Sequence, residues 1–184
     1  MAHDETPAAG SPAHGPAPDQ ALDDEPLFAA ARLKERLYAT ITMISVVVGL
    51  AGFGHTTTAE AAATILTTAV GLWLAALVAD QQAHRVVHGR FATGRELRQM
   101  LSVSSPLLLS AAGPLTLLAV AAFTAISVNT ALLIAAGVNV AGLFTWGCYG
   151  GIRMGAGTAL ALLAGVVDAI IGTAVALVKV AAGH

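Results

Sequence analysis

Charged residues are scarce in this sequence of 184 residues: they make up 11% of it, against 56% hydrophobic residues. Between Leu37 and Lys179 they are nearly absent from five long apolar stretches and collect in the gaps, with Asp168 in the last stretch as the exception. Stretches of about 18 or more apolar residues are typical of membrane-spanning helices, and a soluble domain cannot bury so much apolar surface. We therefore expect an all-α, polytopic membrane helix bundle.

Cysteine and catalytic motifs are also lacking. Cys148 is the only cysteine, so an internal disulfide and a metal site of paired cysteines are both excluded. The sequence has no nucleophile with its base, no phosphate-binding loop and no cofactor motif, so we expect neither an enzyme nor a bound cofactor. No basic patch contains interleaved aromatic residues, so we expect no nucleic-acid partner. The N-terminus lacks the pattern of a cleavable signal peptide.

The apolar stretches predict one five-helix transmembrane domain over residues 26–182, with spans at residues 38–54, 61–79, 106–128, 131–149 and 156–180. Residues 1–25 are acidic and rich in Pro and Ala, which predicts a disordered tail. Asp24-Glu25-Pro26 predicts a helix start, because an acid accepts free backbone N–H groups and proline needs none. The helix that follows is expected to lie on the membrane surface and lead into the first span.

The basic residues predict the orientation of the bundle. Positive charge near the ends of spans stays in the cytoplasm. Five spans put Lys179 on one side and the other eight basic residues on the opposite side: Arg32, Lys34, Arg36, Arg85, Arg90, Arg95, Arg98 and Arg153. We therefore expect a cytoplasmic N-terminus and an external C-terminus, and a bilayer as the main partner.

Residues 80–105 form a basic cytoplasmic link in this interpretation. The second span is expected to continue as a helix until Gly89, the first helix breaker after it. Thr93 and Glu96 have the spacing of a capping box, which predicts the start of a short amphipathic helix. Pro106 is expected to open the third span, and Gly113-Pro114 predicts a kink inside it, since proline removes one helix hydrogen bond.

Asp168 is the strongest candidate for a functional residue, because an ionised carboxylate near the centre of a bilayer is costly. Counting from the midpoints of the spans gives Asn139, Ser45 and Thr116 the same depth, so we expect a polar cluster of these four residues. Such a cluster acts either as a proton or cation relay or as hydrogen-bonded packing. Small residues on the same helix predict close packing around Asp168: Gly157, Ala161, Gly165, Ala169, Gly172 and Ala176.

Asp80, His84 and His88 recur every four residues at the cytoplasmic end of the second span. Imidazole and carboxylate groups suit divalent transition metals, so this ladder is a candidate metal site. The alternative is a solvated interfacial face that is attracted to anionic lipid.

The layout resembles that of the vacuolar iron transporter family. The resemblance rests on the entry segment Arg32-Leu33-Lys34-Glu35-Arg36-Leu37-Tyr38, on Ala79-Asp80, and on Gly151-Ile152-Arg153-Met154, and in outline it covers most of residues 27–182. It implies five spans, a cytoplasmic N-terminus and a transport path in which Asp80 stands in for a glutamate of the family. The chain also looks like small Ala-, Val- and Gly-rich integral membrane proteins of high-GC bacteria, which implies a bacterial cell membrane.

Two functions follow as expectations. The first is a small cation or proton transporter, with a divalent metal as a candidate substrate. The second is a non-catalytic membrane protein that binds a partner or lipid as a scaffold. In either case the small-residue faces of the helices permit a homodimer.

Overall fold

The computed structural model describes the backbone of residues 18–52, 55–155 and 157–182, and within them the side chains from Leu27 onward except that of Lys179. All regular elements in these residues are α-helices: α1 (Pro18–Gly52), α2 (Thr58–His88), α3 (Gly94–Leu109), α4 (Ala112–Phe123), α5 (Val128–Arg153) and α6 (Thr158–Ala182).

Five of these helical segments are long and apolar enough to cross a membrane, with α3 and α4 together forming one of them. The shortest has 25 residues, and mean hydropathy ranges from 1.2 to 2.3. A helix of 25 residues is roughly 38 Å long, which exceeds the ~30 Å of a hydrocarbon core. The prediction of an all-α chain with five membrane-length helices is therefore confirmed.

The first helix begins earlier than the sequence predicts. Residues 18–25 belong to the predicted disordered tail, yet α1 starts at Pro18 and runs as one helix to Gly52. Proline suits a first helical turn, where its missing N–H breaks no helix hydrogen bond. The predicted helix start at Asp24-Glu25-Pro26 is therefore wrong, and the position of the segment before the first span on the membrane surface stays a prediction. Residues 1–17 lie outside the described residues, so disorder there stays a prediction.

α1 lies at the centre of the bundle and packs against α2, α3, α5 and α6. Its buried side chains Met43 and Val47 join Ile65, Leu118 and Leu132 in the main apolar core. Many large apolar side chains point outward instead; on α2 they include Leu66, Val70, Leu74 and Val78. A soluble monomer rarely exposes so large an apolar surface, whereas a lipid-facing surface has this character.

α5 and α6 pack so closely that several contacts leave room only for glycine. A Cβ atom on Gly151 would come within 2.6 Å of Ala161 Cα, and one on Gly147 within 2.7 Å of Gly165 Cα. Gly172 packs against Leu143 in the same way. The small-residue stripe predicted on the last span therefore forms a helix contact, but it is used inside the chain and is not free for a dimer.

The third membrane-length segment is interrupted between α3 and α4, at a point that lies between its two prolines. Pro106 lies in the last turn of α3 and does not begin a helix, while the predicted start of the membrane span at Pro106 stays a prediction. Its missing N–H leaves the Ser102 carbonyl free, and the Ser105 hydroxyl donates to that carbonyl at 2.9 Å. Pro114 likewise offers no N–H to Ser110, and α3 ends just there. The predicted kink is therefore confirmed.

The two remaining turns lie at other positions than the sequence suggests, at residues 124–127 and 154–157. Asn129 and Thr130, predicted as the third link, belong to the first turn of α5, where the Ser127 hydroxyl accepts from the Thr130 N–H at 3.1 Å. The fourth link was expected at residues 150–155, but α5 continues to Arg153. Gly155 then adopts a φ of 73°, which permits the turn into α6.

Candidate functional site

The candidate site lies at the end of the bundle where α2 meets α3, and a short loop builds it. α2 ends at His88 and is capped by Gly89, whose φ of 65° suits glycine, so the predicted helix stop is confirmed. The Gln81 side chain binds the loop back onto α2: its Oε1 accepts from the Ala92 N–H at 3.1 Å, and its Nε2 donates to the Ala92 carbonyl at 3.3 Å. Arg85 stacks 4.7 Å above the Phe91 ring. These contacts fix the position at which α3 begins.

Glu96, on the charged first turn of α3 well before the apolar stretch, does not form the predicted capping box. Thr93 has no side-chain capping hydrogen bond, and the Glu96 carboxylate instead accepts from Arg90 at 2.6 and 2.8 Å. The guanidinium is the stronger partner because the bidentate pair is charge-assisted. Arg90 holds the pKa of Glu96 at about 2, well below its usual value, and Glu96 raises the pKa of Arg90. Glu96 therefore remains ionised at physiological pH.

His84 lies beside this carboxylate and is nearly enclosed, with 8% of its side chain exposed. Its Nε2 atom is 3.5 Å from Glu96 Oε2, yet among the described residues that atom is buried without a hydrogen-bond partner. The His88 ring lies 4.4 Å away, centre to centre. A buried imidazole nitrogen without a partner has capacity to bind a proton or another ligand.

The His84 cavity is a space of about 490 Å³ between α1, α2 and α3. Aromatic, acidic and thioether side chains line it together with the two histidines: Phe28, Asp80, His84, His88, Glu96 and Met100.

The metal site predicted at Asp80, His84 and His88 does not form. Within the described residues no three His, Cys, Asp or Glu side chains are arranged to hold a metal ion. The physical reason is that Asp80 and His88 are eight residues apart on one helix, roughly 12 Å along its axis, so their side chains cannot converge.

Asp80 is of interest for another reason, because its side chain lines two cavities. The first is the His84 cavity, and the second, the Asp80 cavity, has a volume of about 410 Å³ and lies further along α1 and α2. The Asp80 cavity is lined by Lys34, Glu35, Tyr38, Leu72, Ala75, Ala76, Ala79, Asp80 and Leu107. A half-buried carboxylate therefore stands where the two spaces approach each other.

Asp168 points into the bundle, as predicted, but at another level than expected. A Cβ atom on Gly147 would lie 2.6 Å from Asp168 Oδ2, so the carboxylate sits beside Gly147. Asn139 is eight residues from Gly147, or roughly 12 Å along α5. The register depends on the tight turn between α5 and α6 and not on the midpoints of the spans.

Asn139, Ser45 and Thr116 do not hydrogen-bond to one another, and Asp168 lies roughly 12 Å along the bundle from the level of Asn139. Asn139 donates to Ala135, Ser45 to Ile41 and Thr116 to Ala112, each within its own helix at 2.7–3.1 Å. Thr116 is exposed, and α4 packs on α2 and α5. A helix carbonyl one turn away is a ready acceptor for a short hydroxyl or amide side chain, so these groups need no partner on another helix.

Sequence reasoning missed Glu35 and Glu96 as residues of the site. Phe28, Ala31, Glu35 and Tyr38 recur at three or four residues, which gives them one face of α1, and all four line one of the two cavities. This periodicity was a usable signal. Glu96 offered none, because the fold of the loop brings it to His84.

No protein-family model, no curated protein and no solved structure matches this chain. The function proposed below therefore rests on the side chains and cavities just described.

Proposed function

We propose that the protein is a five-span protein of a bacterial cell membrane that transports a cation or a proton and is not an enzyme. Support for its insertion comes from the five membrane-length helices and the apolar outer surface. Support for a cytoplasmic N-terminus comes from the basic end, which is the end of the bundle formed by residues 32–36 of α1, the α2–α3 loop and the end of α5. The layout resembles that of the vacuolar iron transporters, in agreement with this proposal.

The observation that carries the proposal is the position of Asp80 between the two cavities. A cation entering at the basic end first meets Glu96 and the free nitrogen of His84, and then Asp80. Beyond Asp80 the second cavity offers Glu35. Glu96 is paired with Arg90 and Glu35 with Lys34, whereas among the described residues Asp80 forms no ion pair. Asp80 is therefore the carboxylate that lowers the cost of desolvating a cation on this path.

Asp168 has a secondary role in this proposal. It lies on α6, whereas Asp80 lies on α2, and α2 packs on α1, α3 and α4. Asp168 is therefore outside the path past Asp80, and its role is to hold α6 against Gly147 or to carry a separate proton step.

The test is flux into proteoliposomes loaded with dyes for protons and for Mn²⁺, Fe²⁺ and Zn²⁺. We expect Asp80→Asn to lower flux on the order of tenfold, because the amide keeps the size of the side chain and removes its charge. Gln82→Ala is the matched control, since Gln82 is exposed on the same helix and lines neither cavity. Flux that is unchanged in Asp80→Asn, or no flux of any of these ions, contradicts the proposal and favours the non-catalytic scaffold.

A further inference from the structure

The basic end of the bundle has a further space, the arginine groove, which is separate from the His84 cavity and the Asp80 cavity. It lies between α1, α3 and α5 and has a volume of about 480 Å³. Its lining combines three arginines with two aromatic and several apolar side chains: Ala29, Ala30, Arg32, Leu33, Arg36, Pro106, Leu109, Trp146, Tyr149, Gly150 and Arg153.

In the arginine groove, aromatic rings and not carboxylates position the arginine side chains. The Arg36 guanidinium lies 4.7 Å above the Trp146 ring, and Tyr149 meets Trp146 edge-on at 5.9 Å. Among the side chains that the structure describes, Arg32, Arg36 and Arg153 form no ion pair with a carboxylate. Three guanidinium groups around one groove therefore offer forked donors to an anion, a geometry that suits phosphate.

We propose that the arginine groove binds the phosphate headgroup of an acidic phospholipid. The arginines contact the phosphate, and an acyl chain lies along Leu109, whose side chain is 64% exposed beside the groove. Trp146 and Tyr149 mark the headgroup level, since amphipathic rings prefer the membrane interface. Apolar walls next to the cations favour a lipid over free phosphate. This site does not depend on transport past Asp80.

The experiment uses Trp146 as the reporter. The chain has two tryptophans, so Trp73→Phe leaves Trp146 as the only one. The full-length protein is placed in vesicles with brominated phosphatidylglycerol or brominated phosphatidylcholine at 0.5 M salt, which screens exposed charges. We expect brominated phosphatidylglycerol to quench Trp146 fluorescence more strongly than brominated phosphatidylcholine does.

Removing two guanidinium groups in Arg32→Gln/Arg153→Gln is expected to lower this preference about fivefold or more. Arg98→Gln is the matched control, because Arg98 is a basic residue exposed at the same end outside the groove, and it is expected to keep the preference. An unchanged Trp146 emission spectrum in the double variant shows that the groove is still folded.

Equal quenching by the two lipids overturns the proposal, and so does an equal loss of preference in Arg98→Gln. Displacement of the brominated lipid by millimolar inorganic phosphate also overturns it, because the groove is then a site for small anions. The chain's own acidic segment is the occupant if the preference for brominated phosphatidylglycerol emerges only in a variant with amides at four positions, Asp19, Asp23, Asp24 and Glu25. That result equally contradicts a lipid site.

Discussion

The contact between α5 and α6 predicts a large effect for a single added methyl group. In Gly147→Ala the new Cβ would start 2.6 Å from Asp168 Oδ2 and 2.7 Å from Gly165 Cα. Normal carbon contacts are 3.5–4.0 Å, so α6 must shift by about 1 Å. Overpacking of this kind costs about 1–3 kcal/mol, and alanine returns about 0.5–1 kcal/mol through its better helix propensity.

Because the clash is with the backbone of α6, we expect the upper half of that cost, about 2–3 kcal/mol, so the net destabilisation is about 1–2.5 kcal/mol. For a chain of this length that lowers the Tm by about 2–10 °C, measured by thermal unfolding in mild detergent. Gly142→Ala is the matched control, since Gly142 is on the same helix and an added Cβ there meets nothing within 4 Å. It is expected to be as stable as the native chain or slightly more stable. Equal Tm values for the two variants would refute the close packing.

Two further predictions concern the α2–α3 loop and association. Gln81→Leu removes both hydrogen bonds to Ala92, about 2 kcal/mol together, so trypsin is expected to cleave after Arg90 at least about tenfold faster. If a homodimer forms, the exposed Gly71 offers a small-residue face that packing inside the chain leaves free, so Gly71→Cys in a Cys148→Ser background is expected to form a disulfide-linked dimer on oxidation.

Each of these predictions has a control on the same molecule. Gln82→Leu, next to Gln81 and exposed, is expected to leave cleavage after Arg90 unchanged, and equal acceleration in both variants would mean that the amide does not anchor the loop. Gly137→Cys lies on an exposed face of α5. Crosslinking at Gly137 equal to that at Gly71 would indicate random collision and would rule out a dimer through α2.

The helices and several of their ends were predictable because their causes are local. Apolar stretches define the five membrane-length helices, Gly89 ends α2, and Pro114 places the break after α3. In each case the deciding interaction involves residues within about one helical turn, as with the free carbonyl of Ser110. Such effects can be read from the sequence.

The site was less predictable because its causes are non-local. Glu96 has the spacing of a capping residue, but Arg90 reaches it across the loop and binds it instead. Asp168 was assigned the depth of Asn139 from span midpoints, whereas the turn at Gly155 sets the register and puts it beside Gly147. A small change in where one helix begins changes which residues face each other along the whole helix contact. The depth of a residue therefore cannot be predicted without the positions of the turns.

The most direct test of the account is the side of the membrane on which each end of the bundle lies. Single cysteines in a Cys148→Ser background are labelled on intact cells with a membrane-impermeant maleimide. We expect His55→Cys to react on intact cells, and Thr93→Cys and Met154→Cys to react only after lysis. Reaction of His55→Cys and Thr93→Cys from the same side would contradict a five-span protein with its basic end in the cytoplasm.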